Sequence, residues 1–134
     1  MTLIVDASVV LAGLITGLPD GRWAEEQLLS TDLVAPHHML VEVANTLRGG
    51  ELAGDISATV ASSAFEQLMA MRFDLYPFEM FADRIWQLRA NVTPADAWYV
   101  ALAEWMNAPL ATLDRRLVRA PGPRCVFLKP ETDP

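Results

Sequence analysis

The stretch that most constrains this chain is Leu3-Ile4-Val5-Asp6-Ala7-Ser8, a short apolar, partly β-branched run that stops on an acid. The apolar Val9-Val10-Leu11-Ala12 follows at once. The pattern predicts a buried strand, a turn and a helix. An acid at the carboxyl end of a central parallel strand lies on the sheet edge where open α/β folds place their ligands. Asp6 is therefore the first candidate for a functional carboxylate.

The rest of the chain alternates in the same way. Val9 to Ile15 reads as an apolar helix closed by Gly17, Pro19 and Gly21, and Asp20 is placed to cap the next one, with Trp23, Ala24, Leu28 and Leu29 on its apolar side. Leu33-Val34-Ala35 is a buried-strand candidate ended by Pro36. From His37 to Arg48 a helical wheel puts Leu40, Val43, Ala44 and Leu47 on one face, and His38, Glu42, Asn45, Thr46 and Gly49 on the other. Gly49-Gly50 read as the stop.

Asp55 or Ser57 then starts a long helix through Ile56, Val60, Ala61, Phe65, Leu68 and Met69. Phe73 to Tyr76 alternates as a strand, and Glu79 to about Arg89 is helical with Phe81, Ile85 and Leu88 inward. Thr93-Pro94-Ala95-Asp96 is a compact helix start, with Thr as N-cap, Pro at the first position and an acid three residues after the cap. That helix runs to Met106 and packs through Ala97, Val100, Ala101 and the Trp105 region. Leu110 to Asp114 is a second strand ending on an aspartate, Arg115 to Arg119 a helical turn, Cys125 to Leu128 a last strand, and Lys129 to Pro134 a frayed tail. Strands alternating with helices imply a parallel sheet covered on both faces.

At 134 residues the chain is most simply one domain, residues 1–134, long enough to bury roughly two-thirds of its unfolded surface. The apolar run from Leu3 to Ile15 is broken by Asp6 and Ser8, which argues against a membrane span or a secretory signal. Cys125 is the only cysteine, so neither an internal disulfide nor a thiolate zinc site is available, and a reducing, cytoplasmic setting is expected. A net charge of −7 points away from a protein that holds nucleic acid by bulk electrostatics. An acidic chain can still act on RNA where its acids gather at a metal that reverses the local sign.

Asp6, Glu42, Asp96 and Asp114 are the candidate acids, with Ser8 and Thr112 in support. Asp6, Asp96 and Asp114 each have a capping role open to them, and Glu42 has that of a solvated helix face. Jointly they say more: two apolar strands end on an acid, a third acid opens a helix and a fourth faces away from its helix's apolar side. Carboxylates roughly 4 Å apart repel by about 4 kcal/mol per pair at an effective dielectric near 20, so protons or a divalent cation must join such a cluster. Oxygen-only ligands suit Mg²⁺ or Mn²⁺. The matching chemistry is attack of a metal-activated water on a phosphodiester.

The run Ile4-Val5-Asp6-Ala7-Ser8, the helix Val41 to Arg48, the helix Asp96 to Glu104 and the segment Ala111 to Leu117 together resemble the PIN-domain family, and within it the VapC-type toxin ribonucleases. The resemblance covers nearly the whole chain in the expected order. It implies an α/β/α sandwich around a central parallel sheet of about four or five strands. It also implies a metal-dependent endoribonuclease, the toxin of a type II toxin–antitoxin pair, with Mg²⁺ or Mn²⁺ bound by Asp6, Glu42, Asp96 and Asp114 and with Ser8 and Thr112 assisting. Ala95 is a departure, because relatives often carry an aromatic residue there.

The resemblance further implies a VapB-like antitoxin whose C-terminal segment lies in an apolar groove, an RNA substrate and a homodimer. Trp23, Leu28 and Leu29 on one helix, and Phe65, Leu68, Met69 and Met71 on another, are material for the groove or for the core. A competing reading is a catalytically idle PIN-like module that receives a basic peptide or RNA in its acidic pocket. His37 and His38 read as a solvated helix start, and Arg115, Arg116 and Arg119 either as phosphate contacts or as a charged turn.

Overall fold

A computed structural model describes residues 1–131, and the last three residues of the predicted tail lie outside it. Five strands form one sheet in the order β3-β2-β1-β4-β5, every neighbouring pair parallel. The strands are β1 (Thr2–Val5), β2 (Asp32–Pro36), β3 (Asp74–Tyr76), β4 (Leu110–Ala111) and β5 (Phe127–Leu128). Leu3, Ile4 and Val5 are fully buried, as a central strand covered by helices on both faces requires. Among the described residues no helix is long and apolar enough to cross a membrane.

The helices are α1 (Ala7–Leu14), α2 (Gly21–Gln27), α3 (Met39–Leu52), α4 (Ala58–Ala70), α5 (Ala82–Gln87), α6 (Pro94–Met106) and α7 (Arg115–Arg119), and a 3₁₀ turn at Glu79–Phe81 leads into α5. From β1 the chain builds outward through β2 to β3, then returns to the other side of β1 as β4. That reversal is the topological switch point, and the crevice beyond the strand ends there is where this architecture binds ligands. Helix α6 crosses behind it with Ala97 to Ala103 buried without a break, so it is a core helix rather than an amphipathic one.

Several local expectations need correction. Helix α3 runs through Gly49-Gly50 and ends at Gly54, whose φ of +80° favours glycine. The Gly54 amide donates to Glu51 O and the Asp55 amide to Gly50 O, the paired bonds of a Schellman stop. Gly50 makes room instead, since a Cβ there would come 3.3 Å from Ile56 Cγ1.

Asp20 stands at the start of α2 but makes no side-chain cap bond, because its backbone is left-handed rather than extended. Leu29, Val60, Phe65, Met69 and Trp105 lie exposed, whereas Ala64 and Leu68 carry the inner face of α4. The predicted tail is not frayed throughout, for Pro130 is buried.

Candidate active site

The register sets the site. Val5 pairs with Ala111, so the next residues, Asp6 and Thr112, emerge side by side at the switch point. The Asp6 carboxylate is almost fully buried. Its Oδ1 accepts hydrogen bonds from Ser8 Oγ and from the Val9 amide at 3.2 Å, and its Oδ2 accepts one from Thr112 Oγ1. The two hydroxyls also reach onward: Ser8 Oγ accepts from the Leu113 amide at 3.1 Å, and Thr112 Oγ1 from the Asp114 amide at 2.9 Å. This knot fixes the approach of Asp114 relative to Asp6.

Asp114 caps α7, its Oδ1 accepting from the amides of Arg116 at 2.9 Å and Leu117 at 3.2 Å. Its other oxygen is not used in a hydrogen bond among the described residues. Asp96 stands in the first turn of α6, where its amide donates to the capping Thr93 Oγ1 at 3.3 Å. Asp96, Asp114 and Arg116 line a common cleft of about 230 Å³ between the start of α6 and α7.

The electrostatics tie these acids together. Burial is the main force on Asp6 and pushes its carboxyl up to about 6, against hydrogen bonds from Ser8, Thr112 and Val9 that pull it down, while the Asp96 charge adds to the rise. Asp96 is likewise held above the ordinary carboxylate range, by burial first and by Asp114 second, with Thr93 and His38 opposing. Asp96 in α6 is thus set against both Asp6, which follows β1, and Asp114, the cap of α7.

Glu42, on the polar face of α3, is joined to the group through a residue that the sequence reading passed over. Tyr99 is buried on α6, and its hydroxyl donates to Glu42 Oε1 at 2.6 Å. Burial and the adjoining Glu42 carboxylate raise the phenol far above its usual range, so it remains a donor. The signal was in the sequence: a tyrosine inside a core helix needs a partner for its hydroxyl.

His38 departs from expectation too. It is not a solvated helix start, since its ring stacks on Trp98 with centroids 4.4 Å apart, and its Nε2 lies 3.0 Å from Ala95 O and 3.5 Å from Glu42 Oε1. His37 is exposed.

The structure therefore brings Asp6, Asp96 and Asp114 into one electrostatic group, with Ser8 and Thr112 inside its hydrogen-bond network and Glu42 attached through Tyr99. Among the described residues no three His, Cys, Asp or Glu side chains already enclose a single point.

Residues 3–123 match the model of a family described as the PIN domain. The chain is 36% identical over 115 residues to ribonuclease VapC9 of Mycobacterium tuberculosis, covering 86% of this chain and 87% of that protein. It is 42% identical over 92 residues to ribonuclease VapC1 of the same organism, covering 68% and 69%. Among solved structures, VapBC2 from Rickettsia felis bound to a DNA fragment from its promoter shares the fold, with a TM-score of 0.69 at 12% identity over 98% of this chain and 100% of that one.

Proposed function

This chain belongs to the PIN-domain family, and from that premise we propose that it is an endoribonuclease of the VapC type, the toxin of a type II toxin–antitoxin pair. In this reading Asp6, Glu42, Asp96 and Asp114 hold Mg²⁺ or Mn²⁺, and RNA phosphodiesters are hydrolysed. The observation that carries the reading is an acid cluster that no arginine or lysine of the described residues pairs with: Asp6 and Asp96 are both held above the ordinary range. The two ion pairs among the described residues are His38–Glu42 and Arg84–Glu104, so no arginine or lysine neutralises any of the four acids.

The donor set fits a hard divalent cation. All four side chains offer oxygen, and mutual repulsion is what such a cation relieves. Among the described residues no three acids enclose a point, so one or two of the four would bind Mg²⁺ directly and the others would hold it through the waters that it keeps. A cation bound there supplies positive charge to the phosphate oxygens and lowers the pKa of a water.

The chain's own groups do the positioning. Asp6, hydrogen-bonded through both oxygens, holds Ser8 and Thr112, and these hold the backbone that presents Asp114. Glu42 has Oε1 committed to Tyr99, which leaves Oε2 to orient the attacking water and take its proton as the new P–O bond forms and the bond to the leaving oxygen breaks. Arg116, on the wall shared with Asp96 and Asp114, offers a guanidinium to a non-bridging oxygen.

The reading brings a VapB-like antitoxin as partner and, from the family resemblance, a second copy of the chain. The test is cleavage of total cellular RNA by the purified, antitoxin-free protein, with and without Mg²⁺ or Mn²⁺, beside Asp6→Ala and Asp114→Ala. Discrete metal-dependent products that vanish in both variants are expected. A folded, metal-supplied protein that leaves transfer, ribosomal and messenger RNA intact is instead a binding module.

A further inference from the structure

Helix α7 divides its arginines between two clefts. Arg116 faces the acid cleft described above. Arg115 and Arg119, four residues apart and therefore on one face of the helix, line a separate cavity of about 220 Å³ on the other side of Asp114. Lys129, the only lysine of the chain, lines it too. The sheet delivers that lysine. Ala111 pairs with Leu128, and the Thr112 amide donates to Leu128 O at 3.0 Å, so Lys129 follows β5 as Thr112 follows β4 and Asp6 follows β1. Buried Pro130 lines the same cavity and holds the chain beside it.

Three cations therefore meet in one recess of a chain whose net charge is −7. None of them is paired with a carboxylate among the described residues. Two acids share the lining, Asp20 and Asp114, and Asp114 is a proposed cation ligand whose charge is offset when the cation binds. The volume is below the roughly 300–1,000 Å³ usual for a drug-sized ligand and suits one charged group. Asp114 lines both this recess and the acid cleft, and α7 contributes residues to each, so the two are adjacent places for a bound strand.

We propose that the Arg115–Arg119–Lys129 recess is a phosphate subsite that seats the backbone phosphate next to the scissile one on single-stranded RNA. The proposal rests on the endoribonuclease reading above. Arginine and lysine on two separate elements grip the phosphate from two sides, and the subsite sets which bond of the strand lies at Asp96 and Asp114.

The test uses an RNA oligonucleotide whose cleaved bond has been mapped with the wild-type protein. Two further oligonucleotides carry an uncharged methylphosphonate in place of the phosphate on the 5′ or the 3′ side of that bond. One of these replacements is expected to lower wild-type kcat/KM roughly ten-fold, the loss of one charge-assisted contact. Arg119→Gln/Lys129→Gln is expected to lose a similar factor on the natural oligonucleotide, mainly through KM, and to be indifferent to that replacement.

The slope of log affinity against log salt should also fall by about 0.7 in the double variant, the value for one single-strand phosphate. Both side chains are exposed, so melting temperature should not change, and Arg72→Gln at the far end of the sheet serves as the control. If the variant cleaves like wild type, or if its loss multiplies with the methylphosphonate loss on both sides, the subsite is refuted. The same holds if RNA kinetics persist while antitoxin binding is lost. A wild-type protein that cleaves no RNA overturns the functional reading itself and the subsite with it, a result distinct from the others.

Discussion

Glu104 and Asp6 are both shielded from solvent, and the fold treats them in opposite ways. Glu104 on α6 receives Arg84 Nε at 2.7 Å and Nη2 at 3.1 Å, together with the Arg124 amide at 2.7 Å. Burial pushes its carboxyl up, but Arg84 and the Arg124 amide outweigh that and hold it below the ordinary range. The same guanidinium donates to Gly122 O at 2.9 Å, so α5, α6 and the segment before β5 are tied at one point. Asp6 receives three hydrogen bonds, none from a charged donor, and has Asp96 near it. Where a carboxylate is structural, the chain provides its cation. Where it is left beside another acid, the chain provides none, and in the proposed function that charge is supplied by the divalent cation.

Asp6→Asn breaks this contrast most directly. It removes a carboxylate from the cluster, and RNA cleavage should fall roughly a hundred-fold or more. The metal-free protein should become more stable. The difference between about 6 in the fold and an ordinary 3.8 corresponds to about 3 kcal/mol against folding with Asp6 ionised.

The sign follows from the raised value. The Asp6 contribution is fully present below about pH 4 and is lost as pH rises through about 6. In a chelator, wild-type unfolding free energy should therefore decline over that window, and Asp6→Asn should flatten the decline. Denaturant titrations at pH 4, 6 and 8 measure it, and a variant less stable than wild type at pH 8 contradicts the picture.

Glu104→Gln is the mirror experiment. It deprives Arg84 of its countercharge and should cost about 2 kcal/mol at pH 7. The Glu104 contribution is present above the unfolded carboxyl value and lost as pH falls through the lower folded one, so the cost should vanish in acid. Cleavage per folded molecule should stay as in wild type. A large drop in kcat would mean that the ion pair reaches the site.

Tyr99→Phe probes the acid that is attached rather than packed. The ring stays and only the donor to Glu42 Oε1 is lost, so Mn²⁺ affinity, read by titration calorimetry, should weaken about ten-fold as it does when an outer hydrogen bond to a metal ligand is removed. Unchanged affinity would place Glu42 outside the cation's reach.

The outline of the sheet was legible because most strands announce themselves as short runs ended by an acid or a proline, and Asp6 and Asp114 fall on one edge once β1 and β4 are neighbours, which the pairing of Val5 with Ala111 supplies. Two things were not legible. Capping and clustering looked like alternatives, yet Asp6 and Asp114 do both: each spends one oxygen on its helix, and the helix end thereby points the residue at the crevice. The Tyr99–Glu42 bond spans 57 residues, and no local pattern reports which core hydroxyl meets which surface acid. Helix ends depended on geometry beyond local sequence as well, since Gly49-Gly50 look like a stop and Gly54 makes it.

The smallest effect separates the two jobs that Asp6 and Asp114 combine. At α6 the cap belongs to Thr93 and the carboxylate to Asp96, so one can be removed without the other. Thr93→Ala should cost about 1 kcal/mol in stability, the usual loss for an N-cap. It also removes a hydroxyl that holds Asp96 down against burial and Asp114, so the Asp96 carboxyl should rise further. Mn²⁺ binding followed against pH should then shift to higher pH with Asp96 itself untouched. If stability falls while the binding curve stays in place, Asp96 is not among the groups that the cation displaces protons from, and the cluster reduces to Asp6, Glu42 and Asp114.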